Sequence, residues 1–89
     1  NSENFNGMDE KILLEKTISI VKDVLQNKNL TLNASSSSKD VDGWDSLRHV
    51  MIISEVEKEF AISIDFMEVL EIKTIGDICT SVSKQLKND

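Results

Sequence analysis

Residues 42–60 read DGWDSLRHVMIISEVEKEF: a glycine turn, an exposed-looking tryptophan, then an Asp-Ser pair on the doorstep of an apolar repeat. At about 100° per residue, Val50, Ile52, Ile53, Val56 and Phe60 fall on one continuous arc. That spacing predicts a helix from near Ser46 to about Phe60, with the arc facing a core. Leu47 and Met51 fall on the opposite side, beside Arg48, Glu55 and Lys58. The helix is therefore expected to carry a second, small apolar patch near its start, next to the serine.

Working outward, Asp9 can cap an earlier helix in which Leu13, Thr17, Ile20, Val21 and Val24 recur at helical spacing, with Asn27 to Asn29 marking its end. Lys28 to Asp45 shows no sustained period and includes the run Ser35 to Ser38, which reads as solvated linker. Loops of this length in small domains are usually functional or pinned by apolar side chains, and Leu30 and Leu32 are the candidates here. Downstream, Ala61 to Ile64 is a short connection and Phe66 to Leu70 a possible short helix. Thr74-Ile75-Gly76-Asp77 resembles a capping box with Asp in place of Glu or Gln, after which Ile75, Ile78, Cys79, Val82 and Leu86 repeat with helical period. With no proline, no alternating strand and no internal repeat, the pattern predicts a small all-α bundle with one long first connection.

Eighty-nine residues allow one domain and a modest core, since a chain this short buries only roughly 60–65% of its unfolded surface. A deep enzyme cleft is not expected. The net charge of −6 argues against nucleic acid or an anionic membrane as partner and for basic patches on other proteins. The single cysteine, Cys79, excludes an internal disulfide and a cysteine-based zinc site and fits a reducing compartment; on the last helix it reads as a small core residue. No apolar run reaches membrane-span length and nothing resembles a secretory signal, so a cytoplasmic protein is expected. Residues 1–7, NSENFNG, are set aside as a tail or remnant, leaving 8–89 as the domain.

Three readings of Ser46 compete. As a nucleophile it has Asp45 and His49 nearby, but Asp45 sits at the same helix entrance and cannot orient the far side of the ring, and no G-x-S-x-G elbow frames the serine. A calcium loop fits Asp40, Asp42 and Gly43 at positions three, five and six, yet puts Ser38 at position one and His49 where a bidentate Glu is required. The third reading uses the helix entrance itself. Its first N–H groups are unpaired and carry partial positive charge, so a phosphate ester on the hydroxyl is favoured there; the simpler role is that Ser46, or Asp45 before it, caps the helix.

Asp45-Ser46-Leu47 with Val50 one turn on, Glu55-Val56-Glu57-Lys58-Glu59-Phe60, Ile62-Ser63-Ile64 and Thr74-Ile75-Gly76-Asp77-Ile78 together resemble the acyl carrier protein family over about residues 9–87. The resemblance implies a four-helix bundle with a long first loop and a short third helix, and a carrier rather than an enzyme. It implies that Ser46 is the attachment point for phosphopantetheine, transferred from coenzyme A by a separate magnesium-dependent phosphopantetheinyl transferase, with the acyl cargo held as a thioester on the arm. Asp45 is then expected to help the transferase recognise the site. Leu47, Arg48, Met51 and Glu55, with Glu57 and Glu59, would meet acyl-loading and acyl-processing enzymes. Val50, Ile53, Ile64, Ile75 and Ile78 would wall an acyl pocket. A monomer with no bound metal is expected.

Some residues depart from that pattern. Arg48, His49 and Met51 stand where fatty-acid carriers keep a more acidic or polar face, and Trp44 is not a residue of housekeeping carriers. G-W-D-S-L resembles carriers dedicated to particular pathways, whereas peptidyl carriers show G-G-x-S. The expectation is a discrete carrier of fatty-acid, polyketide or specialised acyl intermediates. An aminoacyl or peptidyl carrier, for example of D-alanine, and a non-carrier acidic interaction or calcium-binding module remain the alternatives.

Overall fold

The computed structural model describes residues 10–87, so the tail at 1–7 and the expected cap at Asp9 lie outside the described residues. Four helices follow in order: α1, Glu10–Leu25; α2, Ser46–Phe60; α3, Phe66–Glu71; α4, Ile75–Lys87. Among the described residues there is no strand, only an isolated antiparallel bridge between Ser37 and Thr74.

In α1, Leu13, Thr17 and Val21 recur every four residues and form its buried stripe. The Thr17 hydroxyl donates to the Leu13 carbonyl at 2.9 Å, which satisfies a polar group with no access to water. The Cys79 thiol of α4 donates to the Thr17 hydroxyl oxygen at 3.6 Å, and burial pushes its pKa up. α1 packs against both α2 and α4. Lys16 of α1 pairs with Glu59 near the end of α2 at 3.2 Å, and the later residues Ile20, Asp23 and Val24 of α1 lie by the earlier residues Met51, Ser54 and Glu55 of α2, so the two helices run antiparallel.

α2 buries Ile52, Ile53, Val56 and Phe60 as its period predicts. Val50 does not join them and is 54% exposed. On the helical wheel it points roughly 100° from the middle of that arc, on the same side as Leu47 and Ser54. Including it made the predicted arc too wide.

Both α1 and α2 end in left-handed residues that are not glycine. Gln26 (φ 57°) lets the Gln26 and Asn27 N–H groups reach the Asp23 and Lys22 carbonyls at 3.1 and 3.0 Å. Ala61 (φ 55°) ends α2, with its own N–H and that of Ile62 both donating to the Glu57 carbonyl. The side chain of Glu57 turns the chain onward, accepting the Ile64 N–H at 2.7 Å.

α3 is short but capped: the Asp65 carboxylate accepts from the Met67 N–H at 3.1 Å. Its Glu68 is tied to α4 by the buried Ser81 hydroxyl, which donates to it, and by Lys84 at 3.4 Å. The Ser81 bond is the main reason the Glu68 carboxyl titrates below its ordinary range.

The expected box opens α4. Thr74 accepts the Asp77 N–H at 3.0 Å, and Asp77 accepts from Lys73 and Thr74 at 2.9 and 3.1 Å, bonds that hold its pKa down. The long α1–α2 loop closes over this entrance. The Ser36 and Ala34 carbonyls accept from Ile75 and Gly76 at 3.0 and 2.8 Å, and a Cβ on Gly76 would lie 3.0 Å from the Ala34 oxygen. Leu30 and Leu32 pack half-buried against the core as predicted. The serine run is built rather than free: Asn33 accepts from Ser35 at 2.8 Å, and Ser36 Oγ accepts from Asn33 at 3.0 Å.

A left-handed non-glycine residue costs about 1–2 kcal/mol, against the roughly 0.5–1 kcal/mol of backbone entropy lost with glycine. Ala61→Gly and Gln26→Gly are therefore each expected to stabilise the fold, raising Tm by roughly 2–8 °C. Thermal denaturation checks this. A fall in Tm, as for glycine inside a helix, would contradict the capping geometry.

Candidate functional site

The approach to α2 is a tight turn. The Trp44 N–H donates to the Val41 carbonyl at 3.3 Å, and Gly43 takes φ +90°, a value that side-chain-bearing residues rarely adopt. The turn carries Val41 and Trp44 into the core; Trp44, exposed-looking in the sequence, is 3% exposed. A buried indole needs an acceptor for its N–H. It finds one in His49, whose Nδ1 lies 3.1 Å from Trp44 Nε1, with the two rings stacked at 6.1 Å and 25°. The other ring nitrogen, His49 Nε2, donates to the Val69 carbonyl of α3 at 3.3 Å. An indole donor on one nitrogen and a carbonyl acceptor on the other require a neutral imidazole with its hydrogen on Nε2.

Asp45, between this pair and the serine, is the helix cap. Its Oδ1 accepts the Arg48 N–H at 2.8 Å and its carbonyl accepts the His49 N–H at 2.9 Å. Arg48 Nη1 lies 3.5 Å from Oδ2, an exposed pair worth about 0–1 kcal/mol. Ser46 is thus the first residue inside α2 and not its cap. It is exposed, and its hydroxyl has no hydrogen-bond partner among the described residues.

This geometry disposes of the nucleophile reading. Both nitrogens of His49 are engaged, by Trp44 and Val69, so the ring is not a base for Ser46, and the Asp45 carboxylate is held by Arg48. In the loop read as a calcium site, Asp40 Oδ2 accepts from the Ser37 hydroxyl and N–H at 3.1 and 3.3 Å. No group of three or more His, Cys, Asp or Glu able to hold a metal occurs among the described residues.

Beyond Ser46, α2 turns an apolar patch outward: Leu47 is 63% and Met51 43% exposed, as predicted, and Val50 joins them. Arg48 and Glu55 are exposed on the same helix, with Glu55 paired to Lys58 at 3.3 Å. Of the two further carboxylates expected on this face, Glu57 is turned inward onto Ile64, and Glu59 is paired with Lys16. Ile53, Ile64, Ile75 and Ile78 are buried in one cluster, whereas Val50, expected as a fifth wall, lies outside it. The sequence reading also missed Phe66, Met67 and Leu70, all exposed on α3, although their i, i+1, i+4 spacing was in plain sight.

The Trp44–His49 bond is expected to appear as energetic coupling. Trp44→Phe and His49→Leu should each destabilise by about 1–3 kcal/mol, and the double variant by less than their sum, with a coupling of roughly 0.5–3 kcal/mol. Denaturant unfolding of the four proteins measures it. Strict additivity would contradict the bond.

Comparison with known proteins gives a consistent result. Residues 15–82 match the family model described as a phosphopantetheine attachment site. The acyl carrier proteins of two strains of Porphyromonas gingivalis are 36% identical to this chain over 73 residues, covering 82% of this chain and 94% of theirs. The solution structure of a holo acyl carrier protein from Geobacter metallireducens superimposes with a TM-score of 0.77 at 29% identity, covering 85% of this chain and 87% of that one. A four-helix bundle with this matched segment and these relatives is a carrier that uses phosphopantetheine and not a catalyst, and the chain belongs to the acyl carrier protein family.

Proposed function

We propose that Ser46 carries the phosphopantetheine arm and that the protein presents acyl intermediates of a specialised pathway to a succession of partner enzymes. One observation carries this reading: Ser46 stands exposed at the start of α2 with its hydroxyl unengaged, while Asp45 before it supplies the cap. A phosphodiester suits the position. Capping engages the Arg48 N–H and the first helical bond that of His49, so the Ser46 and Leu47 N–H groups remain unpaired beside the hydroxyl. An anion there gains about 0.3–1 kcal/mol from the helix dipole. When attached, the arm supplies a terminal thiol on which cargo is held as a thioester.

The other residues take roles around that oxygen. Asp45 both caps the helix and offers a carboxylate edge to the phosphopantetheinyl transferase. Leu47, Val50 and Met51 form the apolar centre of docking contacts, with Arg48 and Glu55 beside them. Ile53, Ile64, Ile75 and Ile78 are the interior groups that would part to shelter an acyl chain, and Val50 would guide cargo from outside. Trp44 and Arg48 support a dedicated pathway over a generic fatty-acid role, and the absence of G-G-x-S before the helix favours an acyl over a peptidyl cargo. An aminoacyl load is the second reading, because the tether is better specified than the load. A monomer acting in the cytoplasm completes the proposal.

The test is the intact mass before and after incubation with coenzyme A, magnesium and a promiscuous phosphopantetheinyl transferase, beside Ser46→Ala. A gain of one phosphopantetheine is expected, absent in Ser46→Ala, whose helicity should be unchanged. A variant that still accepts the arm would sink the assignment.

A further inference from the structure

Residues 44–49 form a closed ring that contains the serine. The Trp44 indole N–H donates to His49 Nδ1 at 3.1 Å, and on the backbone the His49 N–H donates to the Asp45 carbonyl at 2.9 Å. Inside that ring the Asp45 carboxylate accepts the Arg48 N–H at 2.8 Å. Ser46 contributes to none of these bonds, so the direction in which its hydroxyl leaves the helix is set by its neighbours.

The ring closes in one protonation state only. A neutral imidazole with its hydrogen on Nε2 accepts the indole at Nδ1 and donates to the Val69 carbonyl at 3.3 Å. A protonated imidazole carries hydrogen on both nitrogens and keeps the Val69 bond alone. The indole N–H, on a side chain only 3% exposed, then faces another donor with no acceptor beside it. Relief requires Trp44 to move, and one peptide bond joins Trp44 to the Asp45 cap. The charged groups on the elements around the imidazole are Asp45 and Arg48 of α2, Asp42 in the turn before Trp44, and Glu68 and Glu71 of α3. Asp45 and Arg48 are engaged with one another and Glu68 with Ser81 and Lys84, while Asp42 and Glu71 are exposed. The two bonds of the imidazole itself therefore decide which of its forms fits the entrance.

We propose that neutral His49 is a positioning residue for loading: through Trp44 it holds the first turn of α2 so that Ser46 is presented to the transferase, and protonation of its ring slows attachment of the arm. The inference rests on the carrier reading and adds regulation by pH to it. In the transfer, the Ser46 oxygen bonds to the coenzyme A phosphorus that bears pantetheine, the pyrophosphate P–O bond breaks and adenosine bisphosphate leaves. The serine proton passes to a base of the transferase. His49 takes no proton from Ser46, since both of its nitrogens are engaged. Its effect is on the geometry from which the oxygen attacks.

His49→Gln is the decisive variant, because an amide offers one acceptor and one donor, as the neutral ring does, and does not titrate. Loading kcat/KM is measured for it and for the natural chain with one transferase between about pH 8 and pH 5.5, the span in which histidine side chains commonly change charge. Taking the ratio of the two removes the transferase's own pH dependence. The two proteins should load alike at the upper end, and the natural chain should fall behind by about three- to tenfold at the lower, the worth of one hydrogen bond. Trp44→Phe, lacking the indole N–H, should already be slower by the same factor at the upper end. In ¹H–¹⁵N spectra of the unloaded chain, the Trp44 indole and the Ser46 and Leu47 amides should shift together with the His49 ring as the pH falls. A ratio that stays flat while loading proceeds sinks this inference alone, as does a ring that titrates without moving those three signals, or one still neutral at the lower end. Spectra that respond as expected in a chain that no competent transferase loads would remove the carrier reading, and the loading role with it.

Discussion

The hydrogen bond from the Trp44 indole to His49 is the interaction around which the serine end of this protein is arranged. A tryptophan can be almost wholly buried beside a helix entrance only if its N–H is accepted, and His49, one turn into α2, is the acceptor. The same ring passes a second bond to the Val69 carbonyl, so the loop, α2 and α3 are joined through one imidazole. Ser46 lies between Trp44 and His49 in the chain but takes no part. Its neighbours Trp44, Asp45, Arg48 and His49 are all engaged, and its own hydroxyl has no partner among the described residues.

That division runs along the whole of α2. Its inner face is held by Ile52, Ile53, Val56 and Phe60, and its end by the Glu57 carbonyl and carboxylate. Its outer face leaves Leu47, Val50 and Met51 exposed. The long first loop could have blurred the arrangement, but its Ala34 and Ser36 carbonyls close onto the start of α4. A surface built on a helix anchored from behind is better defined than one on a free loop.

The helices were legible in the sequence because apolar residues recur at 3.6, and the Thr74–Asp77 box because capping is local chemistry. The exposure of Leu47 and Met51 followed from the same geometry. Trp44 did not follow: a lone aromatic in an aperiodic loop carries no facing, and its burial depends on a glycine turn and on a histidine five residues away. Val50 sits at the edge of the arc, where the helical wheel cannot decide and tertiary packing does. Glu57 read as a surface charge because its bond to Ile64 depends on how the chain leaves the helix. Trp44 and His49, read apart in the sequence, prove to be partners of one another.

The entrance of α2 is secured from within, independently of the serine. The most direct test is the ¹⁵N spectrum of the His49 ring and the Trp44 indole, recorded near neutral pH before and after the arm is loaded. The prediction is a neutral imidazole with hydrogen on Nε2, an indole N–H protected from exchange, and no change in either on loading. A ring protonated at Nδ1, or an indole that exchanges as freely as an exposed one, would contradict it.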